Sequence, residues 1–196
     1  MPRLLIIAGV NGSGKSTLYN QMEKVMKVGT KINADDIAKS LGDFNDRNIQ
    51  FKAGKKAIKL FNDCITSKID FNFETTLSGK NIFRKIEIAK ANGYIIDIIY
   101  IAIDKETSKL RISNRVLKGG HNISSKDVER RYDKSINNFT DNIDMFNNVY
   151  FYENEDSKHK LIFCIEENKI KYIENHSPKW IERKFNINKL LSKFER

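Results

Sequence analysis

A glycine-rich loop near the start of the chain carries the residue types that bind a nucleotide's phosphates. The stretch GVNGSGKST follows directly on the apolar run LLIIA and matches the spacing G-x-x-x-x-G-K-[ST]. In this pattern backbone N–H groups surround a polyphosphate, Lys15 bridges the outer phosphates and Ser16 supplies an oxygen to Mg²⁺. The predicted nucleotide-binding residues are Gly9, Asn11, Gly12, Ser13, Gly14, Lys15, Ser16 and Thr17. The alternative is a glycine turn that merely joins a strand to a helix.

Phosphate binding alone does not identify a reaction, because switches, motors, transporter ATPases and kinases share this loop. A GTPase would be expected to carry an NKxD-type sequence after a late strand, and VYFYENED supplies none. A transporter ATPase would need a longer chain with a strand that ends in paired acids. Both classes are weak fits, and the rest of the chain must decide among the others.

Two adjacent carboxylates are candidates to handle an acceptor hydroxyl. Phosphoryl transfer needs an acceptor held in line and a carboxylate that takes its proton. Asp35 follows the second predicted strand, at the edge where such sheets place ligands, and is the candidate catalytic base. Asp36 beside it is a candidate substrate-binding residue. The alternative for either is an acid that merely favours a helix N-terminus through the helix dipole.

A further polar group closes the third predicted strand, FNFETT. Glu74, Thr75 and Thr76 lie at the same predicted edge and are candidate substrate-binding residues. Glu74 could bind the acceptor's hydroxyls, or it could orient Mg²⁺ through a water molecule. The alternative is a strand terminus with ordinary turn residues.

Four separated stretches, GVNGSGKST, INADDIA, FNFETTLSG and NRVLKGGHNISSKDVERRY, together resemble the zeta-toxin-like P-loop kinases, especially their short members. The resemblance extends over residues 4–152, most of the chain. It implies a nucleotide-kinase-like core and Mg²⁺-dependent phosphoryl transfer from ATP or GTP to an alcohol group. For the larger members it also implies UDP-N-acetylglucosamine as acceptor, phosphorylated at the 3′-hydroxyl of the sugar. An antitoxin protein is a further partner to expect, and a nucleotide-regulated binding module is the alternative to an enzyme.

The resemblance also implies roles for the carboxylates. Asp35 matches the family's catalytic acid, and the run from Glu74 to Thr76 matches its substrate-facing ETT. The long helix FKAGKKAIKLF has no acid where a second acceptor-binding carboxylate would be expected, unlike the larger toxins. The acceptor therefore stays open.

Arginines of a predicted lid-like region, residues 115–131, would lie over the phosphates. Arg115 resembles the family's lid arginine, and the second is either Arg131, on the margin of an apolar helix stripe, or Arg130, which points farther out. The two arginines Arg115 and Arg131, together with Lys15, would stabilise the transferred phosphoryl group. His121 is a candidate substrate-binding residue, and loop capping is its alternative.

The composition favours one domain with anionic partners. The chain has 196 residues, of which 40% are apolar, enough for one core but not for two full-sized domains. Its 35 Lys+Arg and 25 Asp+Glu give a net charge of +10, which favours anionic ligands. A kinase of nucleic-acid ends is the runner-up, but the basic residues are scattered, so nucleic acid is not the expected partner.

Two further features bound the cellular setting. Cys64 and Cys164 lie in apolar segments without metal-binding spacing, so both are predicted to be core residues. The apolar run after Arg3 is too short for a signal peptide or a membrane span. A cytoplasmic protein without membrane contact is therefore expected.

These residues require a sheet whose strands end at one edge. Apolar runs alternate with amphipathic segments, which predicts parallel strands joined by helices. The predicted fold is α/β, a P-loop kinase-like three-layer sandwich with a five-stranded, mainly parallel sheet. The runs LIFCI and IKYI predict a C-terminal hairpin, and a last helix is expected over residues 178–194. These elements form a predicted appendage, residues 158–196, on a single domain, residues 1–196.

Helical spacing predicts which faces are buried. In the helix after the glycine loop they are Leu18, Met22, Val25 and Met26. In the long helix they are Phe51, Gly54, Ile58, Phe61 and Ile65. Ser78 is the predicted N-cap of the helix after the third strand.

Overall fold

The computed structural model describes residues 1–117, 125–156 and 158–195. Its strands in this part of the chain are β1 Arg3–Gly9, β2 Thr30–Lys31, β3 Phe71–Thr75, β4 Ile95–Ala102, β5 Asn148–Glu153, β6 Lys160–Glu166 and β7 Lys169–Ile173. Its α-helices are α1 Lys15–Glu23, α2 Ala34–Leu41, α3 Arg47–Ser67, α4 Asn81–Ala91, α5 Lys105–Leu117, α6 Ser125–Asp141, α7 Lys179–Phe185 and α8 Ile187–Leu191. None of these helices is both long and apolar enough to cross a membrane.

The strands form a sheet in the order β2-β3-β1-β4-β5-β6-β7. β1 pairs in parallel with β3 on one side and with β4 on the other, and β2 and β5 extend the parallel part outward. The carboxyl ends of β1, β2 and β3 therefore meet at one edge. The predicted α/β fold with a mainly parallel sheet is confirmed.

The described sheet has seven strands rather than the five predicted. The difference arises because β6 pairs antiparallel with β5, so the predicted hairpin continues the sheet. Ile162, Phe163 and Ile165 of β6 are buried. Pairing with β6 satisfies the outer edge of β5 and adds apolar burial at the same time.

An aromatic cluster joins the C-terminal elements to the parallel strands. Tyr100 of β4 stacks on Phe139 of α6, with ring centroids 4.2 Å apart. Phe151 of β5 lies 4.8 Å from both Phe163 of β6 and Phe185 of α7, centroid to centroid. Such ring pairs contribute stability beyond their buried area. The hairpin and the last helices thus share their core with the rest of the sheet.

The predicted buried face of α3 is partly wrong. Phe51 and Ile58 are 64% and 56% exposed, and the position beside Gly54 is open. The buried residues of this helix are Ala53, Ala57, Phe61, Cys64 and Ile65. The small alanines allow the first turns to approach their neighbours closely. The predicted and observed stripes coincide only at Phe61 and Ile65. Spacing alone cannot distinguish a stripe of small residues from one of large residues.

Three local predictions near helix ends are also wrong. α1 ends at Glu23, so Val25 and Met26 lie beyond it and are 82% and 53% exposed. Leu18 and Met22 pack against a buried cluster, as predicted.

Ser78 does not cap α4, because its hydroxyl bonds to the Thr76 hydroxyl at 2.8 Å. The predicted last helix is two helices, because Asn186 between them has a left-handed backbone with φ 46°. Cys64 and Cys164 are buried, as predicted.

A polar group joins three parallel strands near their amino ends. Asp97 of β4 is 7% exposed and accepts from Arg3 of β1 at 2.5 Å and from Asn148 of β5 at 2.6 Å. Both carboxylate oxygens are therefore bonded to side chains of neighbouring strands. Buried polar groups of this kind favour one strand arrangement because any other leaves them unpaired.

Asp97→Asn should destabilise the fold by about 1–3 kcal/mol. The change removes the ion pair with Arg3, and the new NH₂ group replaces one of the two oxygens that accept from Arg3 and Asn148. Urea unfolding followed by circular dichroism measures this change. Asp63→Asn, the same change at an exposed position of α3, is the matched control and should have little effect. Equal unfolding midpoints for the two variants would contradict the structural role of Asp97.

Candidate active site

The glycine-rich loop between β1 and α1 has the backbone that phosphate binding needs. Gly9, Gly12 and Gly14 have φ values of 144°, 76° and 93°, in the region that favours glycine. Gly14 is the N-cap of α1, so the N–H groups of the first helical turn border the loop. A loop and helix start of this geometry bind anions through N–H groups and the helix dipole.

Lys15 lies against this loop. Its Nζ donates to the carbonyl oxygens of Gly9 and Val10, both at 2.9 Å. Burial lowers the pKa of Lys15 to about 8; the charge of Glu74 opposes this effect and that of Arg115 adds to it. The ammonium group is thus a poorly solvated cation beside the phosphate-binding loop.

Ser16 and Glu74 form the oxygen-rich part of the site. The Ser16 hydroxyl donates to Glu74 Oε2 at 2.8 Å, while Glu74 Oε1 is buried without a hydrogen-bond partner among the described residues. Within the part of the chain that the structure describes, no group of three or more His, Cys, Asp or Glu side chains could hold a metal. Mg²⁺ is usually bound by one or two carboxylates together with phosphates and waters. The hydroxyl of Ser16 and the carboxylate of Glu74 fit such a partial ligand set.

The two aspartates lie at the start of α2. Asn33 caps this helix, because its side-chain oxygen accepts from the N–H groups of Asp35 and Asp36 at 2.9 and 3.3 Å. The Asp36 carboxylate pairs with Lys31 at 2.8 Å. The Asp35 carboxylate is exposed, and no hydrogen bond or ion pair holds it among the residues with described structure. The two neighbouring acids therefore differ: Asp36 is held, and Asp35 is accessible.

The turn after β3 has a strained backbone. Leu77 is fully buried yet has φ 56°, which is unusual for a large side chain. Thr75 Oγ1 accepts from the Leu77 N–H at 3.0 Å, and Asn138 of α6 donates to the Leu77 carbonyl at 2.7 Å. These bonds hold Thr75 and Thr76 at the sheet edge.

A cleft of about 1460 Å³ brings most of the predicted site residues together. Those that line it are Asn11, Gly12, Gly14, Lys15, Ser16, Thr17, Asp35, Asp36, Glu74, Thr75, Thr76, Arg115 and Arg131. Gly9 and Ser13 do not line it; Ser13 is fully buried beneath the loop. Arg130 is absent from the lining and pairs with Asp127 at 2.7 Å. His121 lies outside the described residues.

The cleft also has a wall that sequence reasoning missed. Its further lining residues are Asn33, Lys39, Phe44, Asn45, Gln50 and Asp127. Asn33 could have been found, because an Asn directly before a helix start is a common N-cap. The others come mainly from α2, α3 and their connection, where no local pattern marks a binding residue.

Side chains from α5 and from the segment after β5 support the glycine-rich loop from behind. Ser108 donates to the Asn11 carbonyl at 2.8 Å, and Arg111 contacts the Gly12 carbonyl at 3.3 Å. Asn154 is 4% exposed and donates to the Ser13 carbonyl at 2.8 Å. His159 lies 3.4 Å from the Asn154 amide, and burial lowers its pKa. We call these four residues the P-loop support cluster.

The same cluster restricts position 14. A Cβ atom at Gly14 would overlap the Asn154 amide and come within 3.2 Å of His159 Nε2. The sequence alone predicted no role for Asn154. Its partner in the loop is 141 residues away along the chain, so no local signal predicted this contact.

Asn154→Ala should weaken nucleotide binding about two- to tenfold, because the Ser13 carbonyl loses its donor and a space opens beside Gly14. Equilibrium titration with a fluorescent ATP analogue measures the change in Kd. Asn62→Ala, at an exposed position of α3, is the matched control. A Kd that is the same in both variants would show that Asn154 does not shape the loop.

Comparison with known proteins adds a family to this geometry. Residues 1–163 match the model of the Zeta toxin family. An uncharacterized protein of Haemophilus influenzae is 38% identical over 131 residues, which is 66% of this chain and 92% of that protein.

Two solved structures show the same fold at low identity. One is the AvrRxo1-ORF1:-ORF2 complex with ATP, with a TM-score of 0.73 and 16% identity. The alignment covers 94% of this chain but only 64% of that one, so this chain spans less than two thirds of its length. The other is the PezAT toxin–antitoxin system of Streptococcus pneumoniae, with a TM-score of 0.63, 14% identity, and 98% and 87% of the two chains covered. Membership of this family would support a function as a P-loop phosphotransferase. The match over residues 1–163 shows that the chain belongs to the Zeta toxin family.

Proposed function

We propose that the protein transfers the γ-phosphoryl group of ATP or GTP to a hydroxyl group of a small-molecule acceptor. The observation that carries this proposal is the shared cleft. A phosphate-binding loop, an accessible carboxylate and two arginines all line it. The residues concerned are Lys15, Asp35, Arg115 and Arg131. These are the components that phosphoryl transfer needs.

The proposed roles follow from charge and position. Asp35 takes the proton of the acceptor hydroxyl as that oxygen bonds to the γ-phosphorus, and the bond to the β–γ bridging oxygen breaks to release ADP or GDP. Lys15, Arg115 and Arg131 stabilise the negative charge on the transferred group. Ser16, with Glu74 beside it, would hold Mg²⁺, which when bound neutralises charge on the outer phosphates. Asp36 and the turn from Glu74 to Thr76 position the acceptor.

UDP-N-acetylglucosamine is the first acceptor to test, with the 3′-hydroxyl of its sugar as the receiving group. Family membership supports this choice. The cleft nevertheless has no carboxylate from α3 in its lining, and the wall formed by α2, α3 and their connection contains Lys39, Phe44, Asn45 and Gln50. A cation, an aromatic ring and two amides suit an anionic acceptor with a planar group, which is compatible with a nucleotide sugar.

An antitoxin protein is the proposed macromolecular partner, and the cytoplasm, where ATP is available, is the proposed compartment. Family membership and the likeness to the PezAT toxin–antitoxin system support the partner. We further propose that the described elements act as one catalytic domain. The aromatic cluster that joins β4, α6, β5, β6 and α7 supports this view. The predicted lid-like region, residues 115–131, lies in part outside the described residues, because residues 118–124 are not among them.

Incubation with Mg²⁺, ATP or GTP, and a panel of nucleotide sugars, nucleosides and oligonucleotides tests the function. Mass spectrometry should detect an added phosphoryl group on a small molecule. Phosphorylation of oligonucleotide ends instead would favour a nucleic-acid kinase, and hydrolysis without any phosphorylated acceptor would favour a nucleotide-regulated binding module.

Asp35→Asn should lower the rate of transfer by about 10²–10⁴-fold while it leaves the Kd for nucleotide within about threefold, because only the base is removed. Asp63→Asn makes the same change at an exposed site outside the cleft and serves as control. If Asp35→Asn transfers phosphate as fast as Asp63→Asn, the assignment of the base is wrong.

Nucleotide affinity should fall as the pH rises through the lowered pKa of Lys15. The free ammonium is mostly protonated at pH 7 and mostly neutral at pH 9, because its pKa is about 8. Bound phosphates favour the charged form, so binding takes up a proton and the affinity falls about tenfold between these pH values. Calorimetry at pH 8.5 in two buffers of different ionisation enthalpy measures the uptake.

Lys15→Arg is the control for this titration, because arginine stays charged over the whole range. The variant should bind nucleotide without the proton uptake seen in the parent. An uptake of the same size in both proteins would assign it to another group.

A further inference from the structure

Lys31, at the end of β2, lies between two carboxylates of the candidate active site. Its Nζ is 2.8 Å from Asp36 Oδ2 and 3.9 Å from Glu74 Oε1. It also lies over the ring of Tyr19, 4.3 Å from the ring centroid. The three partners come from α2, β3 and α1, so one ammonium group joins three of the elements that border the candidate active site.

The backbone of Lys31 is as well held as its side chain. Lys31 pairs with Asn72 in the parallel β2–β3 register. The next N–H, that of Ile32, donates to the Asn72 carbonyl at 2.8 Å, and the Asn72 side chain donates to the Val28 carbonyl at 2.7 Å. The short strand β2 is thus fixed on both sides of Lys31, which restricts where the ammonium group can lie.

The charge of Lys31 complements a buried oxygen. Glu74 Oε2 accepts from Ser16, but Oε1 has no hydrogen bond among the described residues, and Lys31 provides the ion pair that the structure shows for it. The Glu74 side chain is 10% exposed, so screening by water is weak there. Burial lowers the pKa of Lys31, but the Asp36 and Glu74 carboxylates reverse this effect and raise it above its ordinary value.

We propose that Lys31 is a positioning residue of the phosphotransfer site and that it holds the Glu74 and Asp36 carboxylates at the edge where the parallel strands end. This inference rests on the proposed function. Lys31 does not line the cleft, so it acts through these carboxylates and not by contact with a ligand. The Tyr19 ring supports the ammonium group from below through a cation–π contact.

The proposal predicts two opposite effects of Lys31→Met. The rate of phosphoryl transfer to UDP-N-acetylglucosamine falls about tenfold or more, because Glu74 and Asp36 lose their fixed orientation. The Mg²⁺ concentration for half-maximal ATP binding falls about threefold, because a cation near Glu74 no longer repels the metal. Loss of folded protein would weaken both properties together, so the opposite signs identify a positioning role.

A double-mutant cycle tests whether Lys31 acts through Glu74. Lys31→Met should lower the transfer rate of the parent about tenfold but that of Glu74→Gln only about threefold, because in that variant only the contact with Asp36 remains to be lost. Lys31→Arg, which keeps the charge, should recover most of the parent rate. Lys27→Met, an exposed lysine outside the cleft, is the control and should leave both readouts unchanged.

Three results would overturn the proposal. The first is an equal loss of rate when Lys31→Met is introduced into the parent and into Glu74→Gln. The second is an unchanged Mg²⁺ requirement in Lys31→Met. The third is no recovery of the rate in Lys31→Arg although this variant melts at the same temperature as the parent. Failure of the proposed function is a separate result. A parent protein that binds Mg²⁺ and ATP but phosphorylates no acceptor would contradict that function, while calorimetric Mg²⁺ titrations of ATP binding would still decide the role of Lys31.

Discussion

The arrangement of the candidate active site depends on the parallel pairing of β1 with its neighbours. β1 lies between β3 and β4, and β2 extends the sheet beyond β3. Parallel strands end at the same edge, so the glycine-rich loop, the start of α2 and the turn after β3 are brought together although they are far apart in sequence. If any of these strands shifted by one residue, its side chains would change faces and the edge would lose its carboxylates. The polar group around Asp97 opposes such a shift at the other end of the strands.

The residues that line the candidate active site could be predicted where the signals are local. The glycine spacing, the acids after two strands and the polar end of FNFETT each lie within a few residues of a strand terminus, where parallel topology fixes their position. The choice between Arg130 and Arg131 was not predictable, because two adjacent helix positions differ by only about 100° of rotation. The structure places Arg131 at the cleft and pairs Arg130 with Asp127, while their roles in catalysis stay predictions.

Predictions from periodicity failed where side-chain size or the end of an element decided the outcome. Phe51 and Ile58 have the spacing of a buried stripe, but Ala53 and Ala57 occupy the buried face of α3. The hairpin was expected as an appendage, but its strands continue the sheet because β5 offers an edge with matching apolar residues. Burial depends on what packs opposite, and one segment of sequence contains no information about its opposite surface.

The P-loop support cluster has a consequence for the order in which the protein matures during synthesis. The glycine-rich loop leaves the ribosome early, but Asn154 and His159, which contact it from behind, follow well over a hundred residues later. Translation adds about 5–20 residues per second, so several seconds separate the loop from these contacts. A nascent chain therefore carries an unsupported phosphate-binding loop until Asn154 and His159 have emerged, and nucleotide binding would reach its full strength only after that point.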